Sequence, residues 1–420
     1  MRLRLLCLGL FLITSTQAFA GGFAIFETSV RVSGMMGAYV ADGRDVSTIF
    51  FNPAGIAQLS GFQFQTGGVL IAPTSSFRGP YPHSVQETKM ESQTFPIPFF
   101  YASYQIMDGL SAGLGFYVPF GLGTKWDKNW VGAGYSTETA VKTGILAPTI
   151  AYTLPFKEYG EISVGASFQI GVLADATLEK RITDFSTPTN GDPRMLRLEG
   201  KSAGLYYGYN FGIMYKPMDK LAIGFSYRSN LDLKFNGDAI FTNLPESQFI
   251  PGAKGDLTIT TPVNWSLGIS YRPTEDLTLN LDYVAWNWSS YDTLTIDFRT
   301  EYETDLLKDS KSPRNYNDVY QIRFGSEYNV RQVQGLMVRA GVAYDKNPVP
   351  DETLDPTLPD SDRLLGSLGA SYHVTSSVSI DFFYMFIRAD ERLISTSENH
   401  FRGYYNTYAQ LYGAGISLTF

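Results

Sequence analysis

The chain of 420 residues contains a single cysteine, Cys7. It lies in "MRLRLLCLGLFLITSTQAFA", which runs from two arginines through an apolar stretch to Ala18-Phe19-Ala20. That order reads as a secretory signal over 1–20, cleaved after Ala20. The mature chain would then have no cysteine, which excludes disulfides and thiolate metal sites. Histidine is nearly as scarce: His83, His373 and His400 are expected in a loop, a turn and a loop. A Ser/His hydrolase needs a histidine held beside its nucleophile, and a transition-metal centre needs clustered ligands. No catalytic residue, metal site or cofactor is therefore assigned. Positive charge is in deficit, with a net charge of −8 that becomes −10 once Arg2 and Arg4 leave with the signal. This argues against a nucleic-acid partner. Beyond residue 20 no apolar run is long enough for a membrane-spanning helix.

Aromatic residues are plentiful, at 15% of the chain with 27 Tyr and 29 Phe, beside 40 glycines. An exported chain of this kind is a large soluble β protein or a transmembrane β-barrel. Alternation with a period of two runs through most of it. "EISVGASFQI" sets Ile162, Val164, Ala166, Phe168 and Ile170 against Ser163, Gly165, Ser167 and Gln169. "NWSLGISY" and "LTLNLDY" repeat the pattern over 264–271 and 277–283. One face is apolar and the other carries Gly, Ser and Asn together with the mid-strand charges Asp282, Arg323, Glu327, Arg339 and Asp381. A soluble sandwich has no place for charge in mid-strand, whereas a barrel lumen does. Short turns, near 107–109, 155–160, 217–220, 273–276, 331–334 and 374–376, alternate with long connections, as in outer-membrane barrels. The fold expected is all-β: a transmembrane antiparallel β-barrel of about fourteen strands over 61–420. The last strand sends Tyr412, Ala414, Ile416, Leu418 and Phe420 to one face, and a closed wall would pair it with the first.

Residues 21–60 do not alternate. Phe23, Ile25, Phe26, Met35, Met36, Tyr39, Ile49, Phe50 and Phe51 need apolar cover, and the barrel lumen is the cover available. In "FNPAGIAQL", Asn52 suits an N-cap and Pro53 the first helical position, so a helical turn is expected over 53–59. The segment reads as a small helical hatch plugging the lumen.

"GGFAIFETSVRVSGMMGAYVADGRDVSTIFFNPAGIAQLSG" resembles the N-terminal hatch of the FadL/TodX family of outer-membrane transporters of hydrophobic compounds, including Asn52, Pro53 and Ala54 as its Asn-Pro-Ala motif. "PFGLGTKWDKNWVG" at 119–132, "DVYQIRFGSEY" at 318–328 and "RAGVAYDKNPVPDETLDPTLPDSDR" at 339–363 resemble later family segments. The resemblance spans the mature chain. It also implies fourteen strands, so the strand count is not independent of it.

The resemblance implies passive transport of a hydrophobic small molecule, a long-chain fatty acid or an aromatic or alkyl hydrocarbon. The ligand would be caught in external loops, bound between hatch and wall, and released sideways at a kinked third strand. Pro119 cannot donate to a ladder, and Gly121 and Gly123 weaken the same stretch, so Pro119, Phe120, Gly121 and Gly123 are the candidate lateral opening, shielded by hatch residues around 52–54. Phe23, Ile25, Phe26 and Val118 are the candidate pocket. Ile240, Phe241, Leu244, Phe249 and Ile250, in an expected loop at 237–252, are the candidate external groove. Asp175 and Val118 fall near positions that hold a fatty-acid carboxylate in the family, and neither suits one. The acidic run "DETLDPTLPDSD" at 351–362 is expected to be a solvated outer loop. Other expected partners are outer-membrane lipid, lipopolysaccharide and, through Phe420, the barrel assembly machinery. A general or substrate-specific diffusion porin is the alternative reading.

Overall fold

The computed structural model describes residues 21–80, 86–155, 158–182, 193–244, 253–299, 309–389, 391–395 and 401–420. The expected signal peptide, Phe249 and Ile250 lie outside them. The described chain is a closed antiparallel barrel of 14 wall strands. The first two are Phe62–Arg78 and Phe95–Met107. The third is Leu110–Tyr117, resumed as Gly121–Lys125. The fourth and fifth are Glu138–Thr153 and Glu161–Arg181. The sixth to tenth are each interrupted once: Met195–Ser202 with Tyr206–Met218, Leu221–Arg228 with Asp232–Thr242, Lys254–Thr260 with Val263–Tyr271, Leu277–Asn287 with Thr293–Arg299, and Ser310–Pro313 with Val319–Asn329. The last four are Leu336–Asp345, Arg363–His373, Val378–Ala389 and Gly403–Thr419.

Alternation fixes the register, because a slip of one residue would turn every apolar side chain into the lumen. Leu267, Ile269 and Tyr271 are exposed outward, as are Phe382, Tyr384 and Phe386. Without a closing partner the first and last strands would leave two bare edges in lipid. They pair instead from Gln63↔Thr419 to Arg78↔Tyr404. Phe62 and Phe420 exchange two backbone hydrogen bonds of 2.9 Å, and their rings stack at 6.5 Å.

Two expectations about the external side are corrected. The loop placed at 237–252 begins later, because the seventh strand continues to Thr242 on its ladder to the sixth strand, while its ladder to the eighth reaches Asp238. The acidic run at 351–362 is solvated only at its start, where Asp351 and Glu352 are exposed. Asp355, Asp360 and Asp362 are buried, Trp126 donates to the Pro356 carbonyl at 3.3 Å, and Thr407 donates to that of Pro359 at 3.0 Å. From Thr353 onward the run folds inward and caps the lumen.

The N-terminal segment lies inside the wall. It holds two four-residue helices, Val30–Ser33 and Thr48–Phe51, and a 3-10 helix, Pro53–Gln58. Asn52 caps the last of these, its side chain accepting from the Ala54 N–H at 3.2 Å, as the Asn-Pro pair predicts.

Candidate functional site

The ladder between the second and third strands climbs from Met107↔Leu110 to Phe100↔Phe116 and stops. Continued register would set Pro98 against Val118 and Ile97 against Pro119. Pro96, Pro98 and Pro119 have no N–H to give, so the sequence withdraws three ladder donors at one place. At residues 118–120 the third strand leaves the sheet. Thr143 of the fourth strand holds the displaced turn, donating to the Phe120 carbonyl at 2.6 Å and accepting from the Phe120 N–H at 3.2 Å. Pairing with the fourth strand resumes at Gly121↔Lys142. The second-strand side rejoins the third only where Glu91 N–H donates to the Lys125 carbonyl at 2.7 Å. Residues 92–99 and 117–124 therefore frame a window in the wall.

Residues 23–25 fill the backbone vacancy that this window leaves. Ala24 and Phe120 form an antiparallel bridge. Ile25 donates to the Pro119 carbonyl at 2.8 Å, and Gly121 donates to the Phe23 carbonyl at 3.0 Å. Residues 23–25 thus act as a short inner strap across the window, satisfying groups that would otherwise be bare. The expectation that 52–54 shield the opening is corrected. Asn52 instead donates to Val40 and Ile213 carbonyls at 2.7 and 3.0 Å, which anchors the Asn-Pro-Ala turn beside the fifth and sixth strands.

A cavity of about 520 Å³ runs through the window. Its lining joins the strap residues Phe23 and Ile25 to buried Ile97 and Leu411 and to lipid-facing Pro98 and Leu173. Val118, Gly121 and Gly123 also border it, as the sequence suggests. Phe26 does not; it lies under the Arg323 guanidinium at 4.0 Å, which corrects its place in the pocket. The cavity's polar end is Glu27, Asp360 and Arg363. Burial pushes the Glu27 carboxyl up against the pull of Arg363 and Arg323. Burial likewise pushes Asp360 up to about 6, against the pull of Arg363 at 3.5 Å.

A smaller cavity, of about 90 Å³, lies toward the external end, bordered by Phe235, Leu257, Ile259, Leu294 and Ile296. Phe23 borders both cavities and packs edge-on against Phe120, Trp288 and Tyr291 at 5.9, 4.8 and 5.8 Å. The candidate groove residues lie elsewhere. Ile240 is exposed, Phe241 joins a small cluster with Leu196 and Phe298, and Leu244 borders neither cavity. The lining consists of positions of the seventh, eighth and ninth strands within the spans expected to be strand, and it reads in sequence as ordinary strand alternation.

Two devices dock the N-terminal segment, and the sequence displays only one openly. The expected lumen charges are all buried. Glu327 receives Arg31, Arg44 and Arg339 at 2.8, 3.1 and 2.6 Å. Asp282 accepts from the N–H groups of Tyr39 and Val40 at 2.6 and 2.9 Å. Arg228 donates to the Phe50 carbonyl and lies 4.0 Å over its ring. The second device is glycine paired across the ladder. Gly165 opposes Gly212, Gly224 opposes Gly268, and Gly325 opposes Gly341. Each pair leaves a hollow for a close backbone approach: a Cβ on Gly165 would stand 2.5 Å from the Ala54 nitrogen, and one on Gly341 would stand 2.7 Å from the Met36 nitrogen. These pairs become visible in sequence only once register is known.

A barrel with an apolar exterior, an internal plug and an apolar cavity crossing its wall defines the class of plugged outer-membrane transport proteins. Residues 11–420 match the sequence profile of the outer membrane protein transport protein family (OMPP1/FadL/TodX). The chain is 25% identical to outer membrane protein P1 of Haemophilus influenzae, with 97% of each chain covered. It is 26% identical to the long-chain fatty acid transport protein of Escherichia coli O6:H1, over 88% of this chain and 87% of the relative. The crystal structure of a Pseudomonas aeruginosa FadL homologue superimposes with a TM-score of 0.80 at 20% identity, covering 95% of this chain and all of the other. The chain belongs to the OMPP1/FadL/TodX family and is an outer-membrane transport protein.

Proposed function

We propose that the protein passes hydrophobic molecules through the outer membrane without an energy source, by a lateral route. The ligand enters the external cavity beside Phe235 and Leu257, passes Phe23, and occupies the larger cavity between hatch and wall. Withdrawal of the strap then lets it leave between the second and third strands into lipid. The observation that carries this reading is a single apolar cavity bounded by the strap on one side and by lipid-facing Pro98 and Leu173 on the other. An alkyl chain buried there gains about 0.8 kcal/mol per methylene.

Uncharged cargo fits the larger cavity better than a carboxylate does. Glu27 and Asp360 stand at its polar end, and Arg363 is already paired to Asp360. Lys142, also at the cavity, is exposed opposite Asp175 in the neighbouring strand. Aromatic or alkyl hydrocarbons are therefore the favoured class. The name of the Escherichia coli relative supports long-chain fatty acids as the second. The test is uptake of labelled toluene and labelled oleate by cells that lack their own transporter, with and without this protein. Toluene uptake alone supports the favoured class, and oleate alone replaces it with the second. Large steady conductance in a planar bilayer would make the protein a porin and overturn both.

A further inference from the structure

The sixth and seventh strands part in mid-wall, at a place the transport reading does not use. Above the break their ladder ends at Ser202↔Phe235, and below it resumes at Asn210↔Arg228. Those pairs are eight residues apart on the sixth strand and seven on the seventh, so no single register joins them. Ala203 N–H still donates to the Lys234 carbonyl at 2.8 Å, and Ser229 N–H to that of Tyr209 at 2.9 Å. Between those two bonds, residues 204–208 and 230–233 share no ladder among the described residues. The seventh strand also turns over here: Ala222, Ser226 and Arg228 are its buried positions below the break, and Leu231, Leu233 and Phe235 above it. Unpaired backbone at membrane depth is tolerated only where protein covers it or it lines a cavity. A hollow of about 540 Å³ occupies the break on the outer side, bordered by Phe168, Leu205, Tyr207, Tyr209, Asn230 and Lys234. Phe168, Leu205, Tyr207 and Tyr209 are exposed on the apolar face, with Lys201 and Lys234 exposed on their external side, so the hollow lies at the external edge of the apolar belt. On the lumen side Leu231, 1% exposed, lies across the break, and a Cβ on Gly208 would stand 2.6 Å from its Cδ2. The plug docks lower down, where Arg228 and Asn210 donate to the Phe50 carbonyl. Leu233 and Phe235 continue upward from Leu231 on the same face, and Phe235 borders the external cavity.

We propose that this break is a second lateral opening, through which apolar molecules dissolved in the outer leaflet reach the external cavity, with Leu231 as its door. The lumen is then supplied from the membrane as well as from the medium. The two openings differ in what closes them. The window at the third strand is crossed by backbone hydrogen bonds to the strap, which must break. The break between the sixth and seventh strands is crossed by a side chain, which clears it by changing rotamer. The inference rests on the transport reading for what passes, but its test reads no transport, so the two fail separately.

Cys7 lies in the expected signal, so a reporter cysteine is the only thiol of the mature chain. The full mature protein carrying Leu233→Cys, which leaves Leu231 in place, is reconstituted in vesicles that contain a phospholipid with a maleimide on one acyl chain. Met214→Cys is the control, at a position equally buried but on unbroken ladders to both neighbours. Labelling is followed by mass spectrometry. A buried thiol reacts in proportion to how often its surroundings open, so Leu233→Cys should be labelled at least about tenfold faster than Met214→Cys. Adding Leu231→Ala should quicken the first further and leave the second unchanged. Retention of the heat-modifiable barrel band shows that each variant has folded; if Leu233→Cys does not, Leu231→Cys is read against the same control. Equal lipid-borne labelling of the two thiols overturns the proposal. So does labelling of the reporter by a charged, water-confined thiol reagent alone, or a reporter rate that Leu231→Ala does not change.

Discussion

Ala24 and Phe120 pair as an antiparallel bridge between the N-terminal strap and the broken third strand. The flanking bonds, Ile25 to Pro119 and Gly121 to Phe23, make this the non-hydrogen-bonded kind of pair, in which Cα atoms approach to roughly 4.5 Å. That spacing suits a disulfide. The double variant Ala24→Cys with Phe120→Cys should therefore crosslink on oxidation without distorting the wall. Uptake should fall at least about tenfold when oxidised and recover with reductant, an effect of at least about 1.4 kcal/mol. Equal uptake in both states would show that the strap does not gate the route.

Gly165 opposes Gly212 in the wall and lies against Pro53 and Ala54. Gly165→Leu fills that hollow. Overpacking of this kind costs about 1–3 kcal/mol, and here the cost falls on the docked plug, since the wall ladder is backbone. Planar-bilayer conductance should rise above the parent level while the barrel keeps its heat-modifiable mobility.

Deletion of residues 46–54 removes Phe50, which Arg228 holds, and Asn52, which holds Val40 and Ile213. The deletion should open a water-filled pore and abolish selective uptake. Conductance that stays near zero would show that the segment is not the plug.

Glu327 receives three guanidiniums, from Arg31 and Arg44 of the plug and Arg339 of the wall. Glu327→Gln leaves them without their shared anion. Removing one partner of a buried pair costs about 3–5 kcal/mol. The temperature at which the folded band is lost on heating should fall, and proteolysis within 31–44 should quicken. An unchanged melting temperature would show that the network contributes little.

Much of this architecture is legible in residue order. Period-two alternation, with Asp282, Arg323 and Glu327 placed in mid-strand, already requires a wall with a polar interior. Asn52-Pro53 marks its helix start because both residues act through their own backbone. Pro119 with Gly121 and Gly123 marks the break in the third strand because a proline has no N–H wherever it sits. These features are local, and local chemistry is written in sequence.

Tertiary structure alone decided what meets across the lumen. It chose residues 23–25, not 52–54, to cover the window, because an extended segment can lie as an extra strand where a helical turn cannot. It moved Phe26 under Arg323 and folded residues 353–362 of the acidic run inward, Asp355 onto Arg314 and Asp360 onto Gly22. It turned scattered glycines into facing pairs that admit the plug. Such contacts join residues up to 341 positions apart, as Arg363 and Gly22 are. They depend on register, closure and the room left inside the wall, quantities that exist only once the barrel has closed.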